Sequence, residues 1–205
     1  MTVDWPWYTC IASEPLDQGD IITGCLVPTA IMPTAIDSGS FNVELAPITA
    51  IVMTATCDLA QKKVSAIVVC GVWSIQDVVL KNQALLNAAT ETCKRNNWPG
   101  PEDAAFNARL PEIITKTGKL KEFFNPIIKG EKASYIMLNK DVGMDFPMSL
   151  VSFENVYTVP LAYIESIVAQ RPKRLRLRPP YREYASQAFG RFFTRVGLDI
   201  DIPRF

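Results

Sequence analysis

The sequence predicts an α+β fold, and three observations carry the prediction. Residues 49–56 and 64–73 are runs of consecutive apolar residues rich in β-branched types. A short linker with a polar end joins them, which is the pattern of two strands covered on both faces. Val78, Leu85, Leu86, Ala89 and Cys93 then recur at helical spacing, so an amphipathic helix follows the strands. Near the C-terminus a period-two run, Leu175-Arg176-Leu177-Arg178, is broken by Pro179-Pro180 and succeeded by a second helical stretch.

The elements follow in order. An aromatic start (Trp5, Trp7, Tyr8) leads to the turn signal Gln18-Gly19-Asp20 and a strand over 21–27. Residues 28–48 hold Pro28, Pro33, Gly39 and Pro47 among small residues and read as an irregular surface loop. After the strand pair, Ser74 or Asp77 offers an N-cap for a helix reaching Lys94, and the stretch from Asn96 to Pro101 ends it. One or two short helices are expected over 102–130, anchored by Phe106, Leu110, Ile113, Leu120 and Phe124. Residues 133–138 and 148–157 are strand candidates, and Pro160 suits the first turn of a helix to Gln170. Residues 175–178 read as a short edge strand with one wet face. Residues 181–196 make the last helix, with Gly197 after it. No internal repeat or low-complexity linker interrupts the chain. It is read as an α+β domain over 1–170 with a basic strand–helix extension over 171–205 packed on it.

Composition excludes more than it assigns. A chain of 205 residues buries roughly 70% of its unfolded surface, enough for one ordinary domain. Histidine is absent, so no Ser-His-Asp triad, Cys-His dyad or histidine-ligated metal site comes from this chain. Lys plus Arg and Asp plus Glu each number 21, and a zero net charge supplies no global attraction to nucleic acid or membrane. The five cysteines form no CxxC pair, which removes zinc-ribbon and thioredoxin-type readings. Most are expected as small buried hydrophobes in a reduced chain. No carboxylate spacing demands a metal and no glycine-rich phosphate cradle is present, so neither metal nor cofactor is expected. The first residues lack the basic and apolar regions of a signal peptide, and no apolar stretch approaches about 18 residues. A cytoplasmic location away from membranes is expected.

The zero net charge hides a polar distribution. Residues 171–195 hold eight basic residues and one acid, Glu183, a net +7 against −7 for the rest of the chain. Seven of the eight are arginines, suited to bidentate phosphate or carboxylate contacts. On a helix, Tyr184, Gln187, Arg191 and Arg195 share one face, and Tyr181, Ala185, Ala188, Phe189 and Phe192 line the other. Arg174, Arg176, Arg178, Arg182, Tyr184, Arg191 and Arg195 are therefore candidate binding residues for a nucleic acid or an acidic partner. The same arithmetic fits neutralisation by the chain's own acids.

Thr54-Ala55-Thr56-Cys57-Asp58 stands where a buried strand ends. Thr54, Thr56, Cys57 and Asp58 are the candidate catalytic residues, with Cys57 as nucleophile and Asp58 or a hydroxyl orienting water. A reactive thiol needs a neighbouring cation, and Lys62 and Lys63 are the nearest in sequence. The alternative is a turn in which Asp58 caps backbone N–H groups and Cys57 enters the core.

Gly19-Asp20-Ile21, Ile51-Val52-Met53-Thr54 and Ala66-Ile67-Val68-Val69-Cys70 resemble the strand opening and apolar hairpin strands of PemK/MazF-like toxins. This resemblance covers residues 19–73 and implies an SH3-like β-barrel core with inserted helices and a C-terminal helix. In that family an Arg before the second strand and a Ser or Thr at its end carry RNA cleavage. Thr54 or Thr56 stands at the second position, whereas the first arginine of this chain is Arg95. Cys57-Asp58-Leu59 together with residues 174–198 is also similar to a group of bacterial proteins from which no activity carries over.

The expected function is a non-catalytic binding or accessory protein of a bacterial stress or phage-defence system. It would engage a nucleic acid or an acidic protein through the Arg-rich segment. The alternatives are a toxin-like endoribonuclease acting through residues 54–58, and a structural subunit of a larger complex. In the last case the aromatic N-terminus and residues 28–47 would serve as interface elements.

Overall fold

A computed structural model describes residues 6–31, 42–171 and 173–194. The chain order is β1 (Tyr8–Ala12), β2 (Asp20–Ile31), β3 (Asn42–Val52), α1 (Thr56–Ala60), β4 (Ala66–Ser74), α2 (Ile75–Lys81) and α3 (Gln83–Asn96). There follow α4 (Phe106–Lys116), α5 (Gly118–Ile128), β5 (Tyr135–Leu138), β6 (Ser149–Pro160), α6 (Leu161–Gln170), β7 (Lys173–Leu177) and α7 (Tyr181–Phe193). The fold is α+β, built on a seven-stranded antiparallel sheet of order β1-β7-β2-β3-β4-β6-β5.

The continuous apolar runs are explained by helices on both sheet faces. Ile51, Met53, Cys70 and Val72 point to one face, where Ala185 and Ala188 of α7 pack. Ala50, Val52, Ile67 and Val69 alternate to the other, under Ile164 of α6. A third cluster gathers α2 to α5 around Ile75, Phe106, Leu110, Leu120 and Phe124, and Leu150 of β6 joins it to the sheet.

The expected barrel closure is corrected. The sheet is open: among the described residues β1 and β5 are its two edges and do not pair. Its two edges nonetheless come within reach of each other, and Tyr8 of β1 belongs to the same buried cluster as Ile136 and Leu138 of β5. Its hydroxyl donates to the Asn139 carbonyl just past β5, at 2.6 Å. Side chains bridge the gap that a barrel would zip with a ladder.

Residues 28–48 are not an irregular loop where they are described. β2 and β3 continue as a two-stranded arm, pairing Leu26 with Pro47 and Pro28 with Leu45. β7 pairs β2 only at Asp20 and Ile21, and β4 pairs β3 only from Thr49 to Val52. Among the described residues each strand of the arm is therefore an edge there, and an edge tolerates the missing proline N–H.

Two further expectations change. The helix after β4 is split at Asn82, which takes an extended conformation and caps α3 with its side chain. β7 is no edge strand: it lies between β1 and β2. Its arginines enter the interior because acids meet them, as described below. At the N-terminus Trp7 stacks on Tyr181, with centroids 4.0 Å apart and planes at 10°. Trp5, Arg195 and Gly197 lie outside the described residues. No helix among the described residues is long and apolar enough to cross a membrane.

Candidate nucleic-acid interface

The Arg-rich segment divides into an inward and an outward part. Arg174 on β7 donates from Nε to Asp20 Oδ2 at 2.7 Å, with side chains 3% and 0% exposed. Its Nη2 reaches the carbonyls of Glu14 and Pro15, each at 2.8 Å. Arg176 joins the same carboxylate, Nε to Oδ1 at 2.5 Å and Nη2 to Oδ2 at 2.9 Å. Burial opposes the Arg176 charge; the hydrogen bond and charge of Asp20, with Asp17 and Glu14, outweigh it and raise its pKa. Arg182 lies 3.7 Å from Asp17 and pairs with Glu183 at 2.8 Å. Three of the candidate binding arginines thus meet acids of residues 14–20 or of α7 itself. Arg178 is exposed, and its backbone N–H donates to the Trp7 carbonyl at 2.9 Å.

The outward part is the free face of α7. Ala185 and Ala188 are buried, and Tyr181, Phe189 and Phe192 pack beside them on the sheet. This leaves Tyr184, Gln187 and Arg191 exposed along one flank of the helix, beside the packed face. Tyr184 and Arg191 line a groove of about 290 Å³ whose far wall carries Lys132 and Tyr135. Tyr184 is 41% exposed. Gly130 makes the close approach possible: its φ is +70°, and a Cβ there would stand 3.0 Å from the Tyr184 hydroxyl.

The far wall was not singled out by the sequence. Lys132 Nζ lies 4.7 Å from the Phe123 ring centroid and 5.1 Å from that of Tyr135, cation–π distances for both. The Tyr135 hydroxyl donates to Glu154 Oε2 at 2.8 Å. Burial first, then the hydrogen bond and charge of Glu154, push its pKa up to about 12, so the ring stays neutral. A signal did exist, a lysine three residues before a tyrosine at a strand start, but nothing local ties it to α7. Chemically, the groove offers two cations and one half-open aromatic ring, a set that suits phosphate contact beside base stacking.

The turn at 54–58 is arranged differently. Thr54 Oγ1 accepts the Val68 N–H at 2.7 Å, holding the end of β3 against β4. Thr56 and Cys57 are exposed in the five-residue α1, and Cys57 Sγ lies 3.7 Å from Asp58 Oδ1. Thr56 and Lys62 line a cleft of about 820 Å³ that Arg176 and Glu165 also border.

Cys25, Cys70 and Cys93 are buried, whereas Cys10 and Cys57 are exposed. Among the described residues no three Cys, Asp or Glu side chains group as metal ligands. Comparison of the chain with protein-family models, curated proteins and solved structures finds no match.

Proposed function

We propose that this chain is a non-catalytic binding protein that engages single-stranded nucleic acid along the outward face of α7. The observation that carries the reading is the groove in which Arg191 and Tyr184 face Lys132 and Tyr135. Single strands are held by cations that track phosphates and by rings on which bases stack, and both kinds of group are present. An acidic protein would use the cations without needing an open tyrosine ring. The bacterial stress or phage-defence setting rests on the toxin-like resemblance. The test is a pull-down of the intact chain from cytosol, with and without nuclease. Nucleic acid recovered without nuclease and lost at raised salt supports the reading. A stoichiometric protein that survives nuclease, with no nucleic acid in either sample, overturns it in favour of a complex subunit.

A second reading, a toxin-like endoribonuclease, is favoured by one observation. Thr56 of the candidate turn borders the same cleft as Arg176, although the Arg176 guanidinium is held by Asp20, Glu14 and the Pro15 carbonyl. RNA cleavage without histidine needs charge stabilisation of this kind. Growth arrest on overexpression that a folded Asp58→Ala variant abolishes would support it. No arrest and no cleavage of single-stranded RNA would remove it.

A further inference from the structure

A second basic cavity lies on the other side of the Asp20 clasp. β2 and β7 pair only at Asp20–Arg176 and Ile21–Leu175, then part. Between the parted strands and the end of α6 sits a cavity of about 160 Å³. Arg171, Lys173 and Arg174 line it, and among the described residues no acidic one does. Its remaining wall is largely apolar, formed by Ile22, Phe146, Ile167 and Val168 among others.

Two independent features mark this as a built site. Arg174 is buried, and its Nη1, unlike Nε and Nη2, has no hydrogen-bond partner among the described residues. A buried guanidinium nitrogen without a partner is uncommon, because desolvation is then uncompensated. Arg171 is docked by backbone geometry: its Nη1 donates to the Thr23 carbonyl at 3.2 Å. The same nitrogen lies 2.8 Å from where a Cβ on Gly24 would stand, and Gly24 has a φ of +70°. Any other residue at 24 would push the guanidinium away. No ion pair reaches Arg171 or Lys173 among the described residues.

We propose that this cavity binds a small organic carboxylate. Its apolar body lies against Ile22, Phe146 and Ile167, and its charge is met by Arg171, Lys173 and Arg174. A carboxylate matches the flat guanidinium fork. The volume is below the roughly 300 Å³ of a drug-sized site, which limits the body to a short branched chain or one ring. A bare inorganic anion would leave the apolar wall unused.

The experiment is calorimetric titration of the intact chain with benzoate and 3-methylbutanoate, with benzamide and inorganic phosphate as controls. The expected result is saturable binding of both carboxylates at one site, none of benzamide, and weaker binding of phosphate. Lys173→Gln and Arg171→Gln should each weaken benzoate by about tenfold, the loss of one charge-assisted contact. Both residues are exposed, so an unchanged thermal midpoint certifies the fold. Lys173→Gln also leaves the Arg171 bond to Thr23 in place. Absence of carboxylate binding, equal binding of phosphate, or unchanged affinity in both variants would overturn the proposal. Each outcome is independent of the α7 groove.

Discussion

Arg174 and Asp20, 154 positions apart in sequence, form an ion pair at 2.7 Å with both side chains out of solvent. The same Asp20 carboxylate also accepts two bonds from Arg176. This clasp explains how a strand of sequence Lys-Arg-Leu-Arg-Leu occupies an interior position in the sheet. Removing one partner leaves an uncompensated buried charge, which costs about 3–5 kcal/mol. Asp20→Ala should therefore lower stability by that amount in urea denaturation, a large share of the roughly 5–15 kcal/mol of a typical domain. The paired replacement Asp20→Leu with Arg174→Met should recover only part of it, because Arg176 then loses both of its bonds to Asp20. A single-variant loss below about 1 kcal/mol would show that the pair is not desolvated.

Thiol chemistry checks the core independently. Burial pushes Cys25 up to about 11 and Cys70 up to about 12, and raises Cys93. Because the thiolate is the reactive form, a disulfide reagent at pH 8 should titrate two thiols in the native chain, Cys10 and Cys57. All five should react after denaturation. Rapid reaction of a third native thiol would contradict the burial.

The same groups make stability fall in alkali. An unfolded thiol loses its proton near its ordinary value of 9.0, whereas folded Cys70 keeps it up to about 12. The native state then binds more protons than the unfolded one, so the contribution is complete below pH 9 and is lost as pH rises towards 12. Tyr135 acts in the same direction, ordinarily 10.0 and pushed to about 12. Thermal midpoints should decline between pH 9 and 11. A flat profile would show that these groups are not buried as described.

Asn82 separates α2 from α3 and caps the latter, its Oδ1 accepting from the N–H groups of Ala84 at 3.1 Å and Leu85 at 3.2 Å. Asn82→Ala should cost about 1 kcal/mol in chemical denaturation, and Asn82→Asp should cost less, since aspartate caps equally well. Equal losses in both variants would place the effect elsewhere.

Tyr8→Phe isolates the link across the open sheet. It deletes the bond to the Asn139 carbonyl while keeping the ring against Phe146, 5.6 Å between centroids. The expected cost is about 1 kcal/mol in urea denaturation, with a larger loss for Tyr8→Ala because its packing goes too. No difference between wild type and Tyr8→Phe would mean that the hydroxyl bond contributes nothing to holding the two edges together.

What the sequence made legible was local. The apolar runs of β3 and β4, the buried stripe of α3 and the two faces of α7 follow from periodicity within each segment. What stayed hidden depended on distant partners. Pro28 and Pro47 signalled a loop because nothing local shows that β2 and β3 run on as mutual edges. Arg176 suggested a wet strand face because its acid, Asp20, is 156 positions away. For the candidate site, Tyr184 and Arg191 were readable from helical spacing. Lys132 and Tyr135 were not, since α7 returns to them only through the tertiary fold.

The most direct test is fluorescence anisotropy of a labelled single strand of about twelve nucleotides, within the usual span of such sites. It is titrated with the chain at about 0.05 and 0.2 M salt. The expected result is saturable binding that weakens with salt. Tyr184→Ala should cost about 1–3 kcal/mol of stacking. Arg191→Gln and Lys132→Gln should each lower the salt slope by about 0.7. No binding at low salt, or affinity and slope unchanged in all three variants, would contradict a nucleic-acid role for this groove.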